Sequence, residues 1–138
     1  MEDFVPFDLA KKLKEKGFTC KYPFAMYNEL GSYCPLTTSS DSVTCESGYE
    51  YISCYDYNDF DENDFIAPTI SQVLKWLRDK FFLHISQKPY PCEDGLMWMY
   101  EIRKFNKNIV FVIANKTGFV EEEQAAIAGI EYVLNNLI

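Results

Sequence analysis

A chain of 138 residues with 48% hydrophobic residues can bury one core, and its net charge of −8 weighs against binding to nucleic acid or to an anionic membrane surface. Its longest apolar runs, such as Ile109–Ala114, are too short to span a bilayer. Aromatic residues make up 17% of the chain, more than a small core requires, so we expect some rings to lie in an interface with a partner.

The N-terminal residues Met1, Glu2 and Asp3 carry two acids where a secretory signal would carry positive charge, so export is not expected. Five cysteines without a Cys-x-x-Cys pair fit free thiols in a reducing compartment better than a disulfide framework or a zinc site. The sequence therefore predicts a cytoplasmic protein with a single domain over residues 1–138 and no metal or other cofactor.

The first predicted element is a helix over Phe7 to Lys16. Pro6 suits its first turn, and Gly17 stands where a left-handed C-terminal cap is favoured. The basic residues of this helix form a cluster: Lys11, Lys12, Lys14 and Lys16. Amphipathic surface helices routinely carry such lysines, although the cluster is also compatible with an acidic partner.

Two strands are expected next, at Phe24–Tyr27 and Ser32–Leu36, joined by a hairpin turn at Asn28–Gly31. The Ser- and Thr-rich residues 37–48 show no hydrophobic period and predict a flexible loop. The alternation in Tyr49–Tyr55 predicts a further short strand.

An acidic segment over residues 56–64 is the first place to look for a cation, because hard ions require several oxygen ligands in a short loop. The spacing of a calcium loop does not fit. Counted from Asp59, the turn glycine would be Asp64 and the closing glutamate would be Ile70. A solvated acidic loop is the favoured interpretation.

The best-marked helix follows, with Thr69 and Gln72 in the positions of a capping box. Its apolar residues recur at helical spacing: Ile70, Val73, Leu74, Leu77 and Phe81. This pattern predicts one buried stripe, with Trp76 at its border.

Three strands joined as a meander are predicted next, at Phe81–Gln87, Leu96–Arg103 and Asn108–Asn115. In the second strand, Trp98 and Tyr100 share one face, while Met97 and Met99 make the other face apolar as well. Neither face of this sheet is therefore expected to be fully exposed to water. Five residues form the candidate interaction surface: Trp76, Trp98, Tyr100, Met97 and Met99.

A last helix is predicted over Phe119 to Leu137. Residues Glu121, Glu122 and Glu123 favour the positive end of its dipole, and Gly129 indicates a close approach to the sheet. Together the elements predict an α+β fold, in which a three-stranded antiparallel sheet carries two helices on one face beside an N-terminal helix and β-hairpin.

The order helix, strand, strand, strand, helix in the second half of the chain resembles the double-stranded-RNA-binding fold. That family presents lysines at the start of its last helix to bind phosphates, whereas this chain has Glu121, Glu122 and Glu123. We therefore expect the topology without RNA binding. The N-terminal helix and hairpin are expected to cover the remaining sheet face or to extend its edge, with a second copy of the chain as the alternative, so a homodimer is one predicted state.

His84 is the only histidine, so a histidine-dependent nucleophile would have to be built around it. It lies among apolar residues of a predicted strand, where an ordinary exposed or hydrogen-bonded histidine is favoured. The sequence contains neither a glycine-rich phosphate loop nor a Gly-x-Ser-x-Gly elbow. No catalytic residue is predicted.

Three motifs resemble a group of uncharacterised small bacterial and prophage-type proteins. They are Lys16-Gly17-Phe18 after the opening helix, Ala67-Pro68-Thr69 ahead of a helix with Trp76-Leu77-Arg78, and a closing helix that is first acidic and then alanine-rich. The resemblance implies a small accessory protein of a bacterium or its prophages, and it assigns no catalytic residue.

The leading hypothesis is a non-enzymatic accessory or protein-interaction protein. One alternative, based on the acidic charge, is a mimic of nucleic acid or an inhibitor of a nucleic-acid-binding protein. A further alternative, a small metal-dependent hydrolase, depends on the acidic segment alone.

Overall fold

The structure is a computed structural model that describes residues 3–20, 24–35, 43–44, 50–51 and 63–138. Contacts divide the chain into two compact units, an N-terminal unit, Phe4–Thr69, and a C-terminal unit, Met1–Asp3 with Ile70–Ile138. The expectation of a single domain is not tested by this division and stays a prediction.

The described residues of the N-terminal unit form one helix and five short strands. They are α1 (Phe7–Glu15), β1 (Ala25–Tyr27), β2 (Tyr33–Pro35), β3 (Val43–Thr44), β4 (Glu50–Tyr51) and β5 (Phe65–Ile66). A three-stranded antiparallel sheet has the order β2-β1-β5, and β3 pairs with β4.

The opening helix and hairpin have the positions that their residues predict. Gly17, just after α1, has a φ of 82°, as a left-handed cap requires, and Leu9 and Leu13 are buried. In the turn between β1 and β2, the Asn28 side chain accepts hydrogen bonds from the backbone N–H groups of Leu30 and Ser32. The hairpin prediction is therefore confirmed.

Three predicted segments lie largely outside the described residues. Of the strand expected over Tyr49–Tyr55, only Glu50–Tyr51 is described, and it forms strand β4. Of the loop expected over residues 37–48, only Val43–Thr44 is described, and it forms strand β3. Of the acidic segment over residues 56–64, only Asn63 and Asp64 are described, and Asp64 is buried with its carbonyl accepting a hydrogen bond from Lys14.

The C-terminal unit has the predicted order of helix, three strands and helix. Its elements are α2 (Ile70–Phe81), β6 (Leu83–Cys92), β7 (Gly95–Asn106), β8 (Ile109–Phe119) and α3 (Glu122–Asn136). The strands form an antiparallel meander with the order β6-β7-β8. All three strands are longer than predicted, and Phe119 ends β8 instead of beginning the last helix.

Both helices pack on one face of this sheet, which confirms the predicted α+β architecture. Leu83 and Ile85 of β6 and Tyr100 and Ile102 of β7 lie on that face and are buried. The apolar stripes of the helices cover them, through Ile70, Val73 and Leu77 of α2 and Ala126, Ile130, Val133 and Leu134 of α3. The other face, which carries His84, Glu101 and Arg103, is called the second face below.

Two β-bulges interrupt the pairing of β8 with β7. One leaves Ile113 as an extra residue between the pairs Ile102–Ala114 and Arg103–Val112. The other leaves Gly118 extra, and its φ of 100° is a conformation that glycine adopts without strain. Bulges bend and twist a strand, and the first four residues of β8, Ile109–Val112, are exposed.

Candidate interaction surface

Strand β8 lies at an edge of the three-stranded sheet, since β7 is its only partner among the described strands. Its first four residues are apolar and exposed: Ile109 at 65%, Val110 at 49%, Phe111 at 43% and Val112 at 48%. We call these four residues the apolar edge. An edge strand also presents a row of backbone N–H and C=O groups that a further strand can pair with.

The apolar edge exposes side chains on both faces of the sheet. Val112 pairs with Arg103 and Val110 with Phe105, so both valines lie on the second face. Phe111 pairs with Lys104, which places it on the helix-bearing face. A strand that is apolar on both faces normally lies between two covered layers, whereas Ile109–Val112 are exposed within the part of the chain that the structure describes.

The opposite edge of the sheet differs in chemistry. Strand β6 contains Pro89 and Pro91, which have no backbone N–H to donate to an added strand. Helix α2 also packs against β6. Of the two sheet edges, β8 is therefore the one suited to pair with a further strand.

Lysines surround the apolar edge. Lys104, on β7, pairs with Phe111 of β8. Lys107 is in the β7–β8 turn, and Lys116 lies on β8 after the apolar edge. All three are exposed, and within the described part of the chain none of them forms an ion pair with a carboxylate. The surroundings of the apolar edge are thus positive, although the whole chain carries a net charge of −8.

The second face carries one compact ionic group. Lys88 Nζ lies 3.1 Å from Glu101 Oε1, and Arg103 Nε donates to the same oxygen. Hydrogen bonds from Lys88, with those from Arg103, lower the pKa of Glu101, although its burial acts in the opposite direction. Arg103 and Lys88 therefore share one carboxylate, and the three groups together keep one positive charge.

His84 lies beside this ionic group on the second face. Its ring centroid is 6.1 Å from that of Phe105. Burial, with the nearby charges of Arg78 and Arg103, lowers the pKa of His84 below 6.5. A neutral imidazole between an aromatic ring and cations has the ordinary strand environment that its sequence context predicts.

A cavity of about 210 Å³ lies between the beginnings of α2 and α3 and strand β6. Its polar lining comprises Asp3, Ser71, Gln87, Glu122 and Glu123. Gln87 Nε2 is buried there without a hydrogen-bond partner. No group of three or more His, Cys, Asp or Glu side chains in the described ranges is placed to hold a metal ion.

The five residues chosen from the sequence occupy different environments. Tyr100 is only 4% exposed and packs against Phe119 and Tyr132, so it belongs to the core and is not available to a partner. Trp76, Trp98, Met97 and Met99 are half-buried, with Trp76 in edge contact with Phe81. None of the five belongs to the apolar edge.

The sequence contains a signal for the apolar character of this segment, because both alternating sets of Ile109–Ala114 are apolar.

Comparison of the chain with protein-family models, curated proteins and solved structures finds no match. None of the helices in the described ranges combines the length and apolar character that crossing a bilayer requires.

Proposed function

We propose that this chain is a non-enzymatic accessory protein of bacterial or prophage origin, and that it acts by binding another polypeptide along the apolar edge of β8. The observation that carries the proposal is the coincidence of a strand edge that has no partner among the described strands with four consecutive exposed apolar residues, Ile109–Val112. The bacterial origin rests on the resemblance of the helix motifs alone.

Strand addition would satisfy the two unmet requirements of this segment together. The backbone groups of the edge would gain hydrogen-bond partners, and an added strand would cover apolar side chains on both faces. Burial of each such side chain contributes about 1.5–3 kcal/mol when it is complete. Partial burial of four side chains therefore contributes favourably to the free energy of association.

Natural proteins protect exposed edges with prolines, charges or very short strands. The β6 edge has Pro89, Pro91 and Lys88, whereas β8 has eleven residues and no charge between Ile109 and Asn115. An edge that lacks this protection is the expected state of a binding surface whose partner is absent.

Selection from a display library of random peptides tests the proposal. Peptides that bind the unmodified chain should lose at least about tenfold in affinity against Val110→Glu, because a charge at a paired edge must be desolvated. The matched control is Val120→Glu, which makes the same change at a valine that is 67% exposed and lies just beyond β8.

Two results would contradict the proposal. One is a chain that yields no peptide and remains a monomer in light scattering at every concentration tested. The other is a set of selected peptides that bind Val110→Glu as tightly as they bind the unmodified chain.

A further inference from the structure

We infer that the partner of the apolar edge is an extended polypeptide segment with an apolar centre and a carboxylate at each end. This inference rests on the proposed function and adds the chemistry of the partner. It is carried by the three exposed lysines Lys104, Lys107 and Lys116, which lie around an uncharged strand segment.

The positions of the lysines define the length of the matching segment. Lys107 precedes the apolar edge by two residues, and Lys116 follows it by four. The uncharged residues between them, 108–115, are what an added strand would pair with. A partner strand of about ten residues would therefore bring its two ends close to Lys107 and Lys116, since paired strands advance by the same rise per residue.

Lys104 supplies a third positive group on the helix-bearing face. It lies directly across from Phe111 on β7, so it is one strand removed from any added segment. Its flexible side chain can reach a carboxylate on that face of the partner. The nearby Arg103 already donates a hydrogen bond to Glu101 and is not counted among the groups available to the partner.

A second copy of this chain fits the same edge less well. Antiparallel pairing of β8 with its own copy about a two-fold axis centred on the apolar edge places Lys107 of each copy opposite Ala114 of the other, two residues from Lys116, at both ends of the interface. Like charges in neighbouring cross-strand positions are unfavourable, whereas carboxylates at the same positions would be favourable. The charge pattern thus favours a different polypeptide over a homodimer.

Nucleic acid also fits less well, because phosphate binding needs more positive charge than three lysines on a chain whose net charge is −8. The apolar side chains on both faces of the edge have no counterpart in a phosphate backbone. A β-strand with apolar side chains can pack against the apolar side chains of the edge.

The test uses two synthetic peptides of about ten residues with the same alternating apolar centre, one with aspartates and one with lysines at both ends. Fluorescence anisotropy should show that the aspartate-ended peptide binds the full chain at least about tenfold more tightly at low salt. About 0.5 M salt should reduce this preference, because the charges are exposed.

Charge reversal at the lysines provides the second arm. The triple variant Lys104→Glu, Lys107→Glu, Lys116→Glu should prefer the lysine-ended peptide. Lys75→Glu, at an exposed lysine of α2 that pairs with Asp79, is the control for a charge reversal elsewhere in the same unit and should retain the original preference.

The outcomes separate this inference from the proposed function. Equal binding of both peptides that is lost in Val110→Glu would overturn the inference and leave the proposed function intact. A chain that binds neither peptide but dimerises through the edge, or that binds a single-stranded oligonucleotide there, would also overturn the inference. A chain that stays monomeric and binds neither peptide nor the oligonucleotide would contradict both this inference and the proposed function.

Discussion

A Cβ atom on Gly129 of α3 would lie 2.9 Å from Cγ2 of Ile85 on β6. The same atom would lie 3.3 Å from Cγ of Tyr100. Ile85 and Tyr100 are both buried, at 4% exposure, so neither side chain has free space to move into. The helix therefore approaches the sheet at a distance that only glycine permits.

Gly129→Ala should accordingly destabilise the C-terminal unit. Alanine gains about 1 kcal/mol of helix propensity over glycine, but overpacking of a dense core costs about 1–3 kcal/mol. We expect a net loss of up to about 2 kcal/mol in the free energy of unfolding in urea. Ala128→Gly, at a half-buried alanine one residue earlier in α3, is the comparison for the propensity contribution. A variant more stable than the unmodified chain would show that α3 does not pack this closely.

The close approach at Gly129 was predictable because a glycine beside an apolar helical stripe is unfavourable without a packing reason. The stripe of α2 was predictable for a similar reason, since Ile70, Val73 and Leu77 recur at helical spacing and all three are buried. These are local signals. Short-range periodicity is sufficient to determine which side of a helix is buried.

The lengths of the strands were less predictable. Pro89 and Pro91 indicate the end of a strand, yet both are paired in β6 because an edge strand does not need every N–H group. The edge position of β8 could not be predicted from its residues at all. Pairing order is set by contacts between residues far apart in sequence, whereas an apolar strand such as Ile109–Ala114 has the composition of a central one.

The five residues predicted as an interaction surface show the same limit of local sequence patterns. Alternation correctly separates Tyr100 from Met97 and Met99, because neighbouring strand residues point to opposite faces. It does not indicate which of the two faces the helices cover. Tyr100 lies on the face that the helices cover. It is therefore buried in the core.

His84 should contribute to the pH dependence of the free energy of unfolding. Burial and the charges of Arg78 and Arg103 lower its pKa in the folded chain, so the unfolded chain binds a proton at higher pH than the folded chain does. Stability from this residue is fully present above pH 6.5 and is lost as the pH falls towards the lowered pKa.

Urea denaturation between about pH 5.5 and 7.5, where carboxylates remain ionised, measures this contribution. The free energy of unfolding should decrease on acidification for the unmodified chain and decrease less for His84→Gln. His84 is the only histidine, so no other imidazole contributes in this range. Equal slopes for the two proteins, or a stability that increases on acidification, would contradict the environment described for His84.

In the N-terminal unit, the hydroxyl of Tyr27 donates a hydrogen bond to the carbonyl oxygen of Val5 at 2.7 Å. Val5 is fully buried, so its carbonyl has little access to water as a replacement partner. Tyr27→Phe should therefore reduce the free energy of unfolding by about 1 kcal/mol. Tyr33→Phe, on the paired strand β2, is the matched control, because Tyr33 is 50% exposed and a surface substitution usually changes stability by less than about 0.5 kcal/mol. Thermal unfolding followed by circular dichroism compares the two variants, and an equal loss in both would show that the Tyr27–Val5 hydrogen bond does not stabilise the unit.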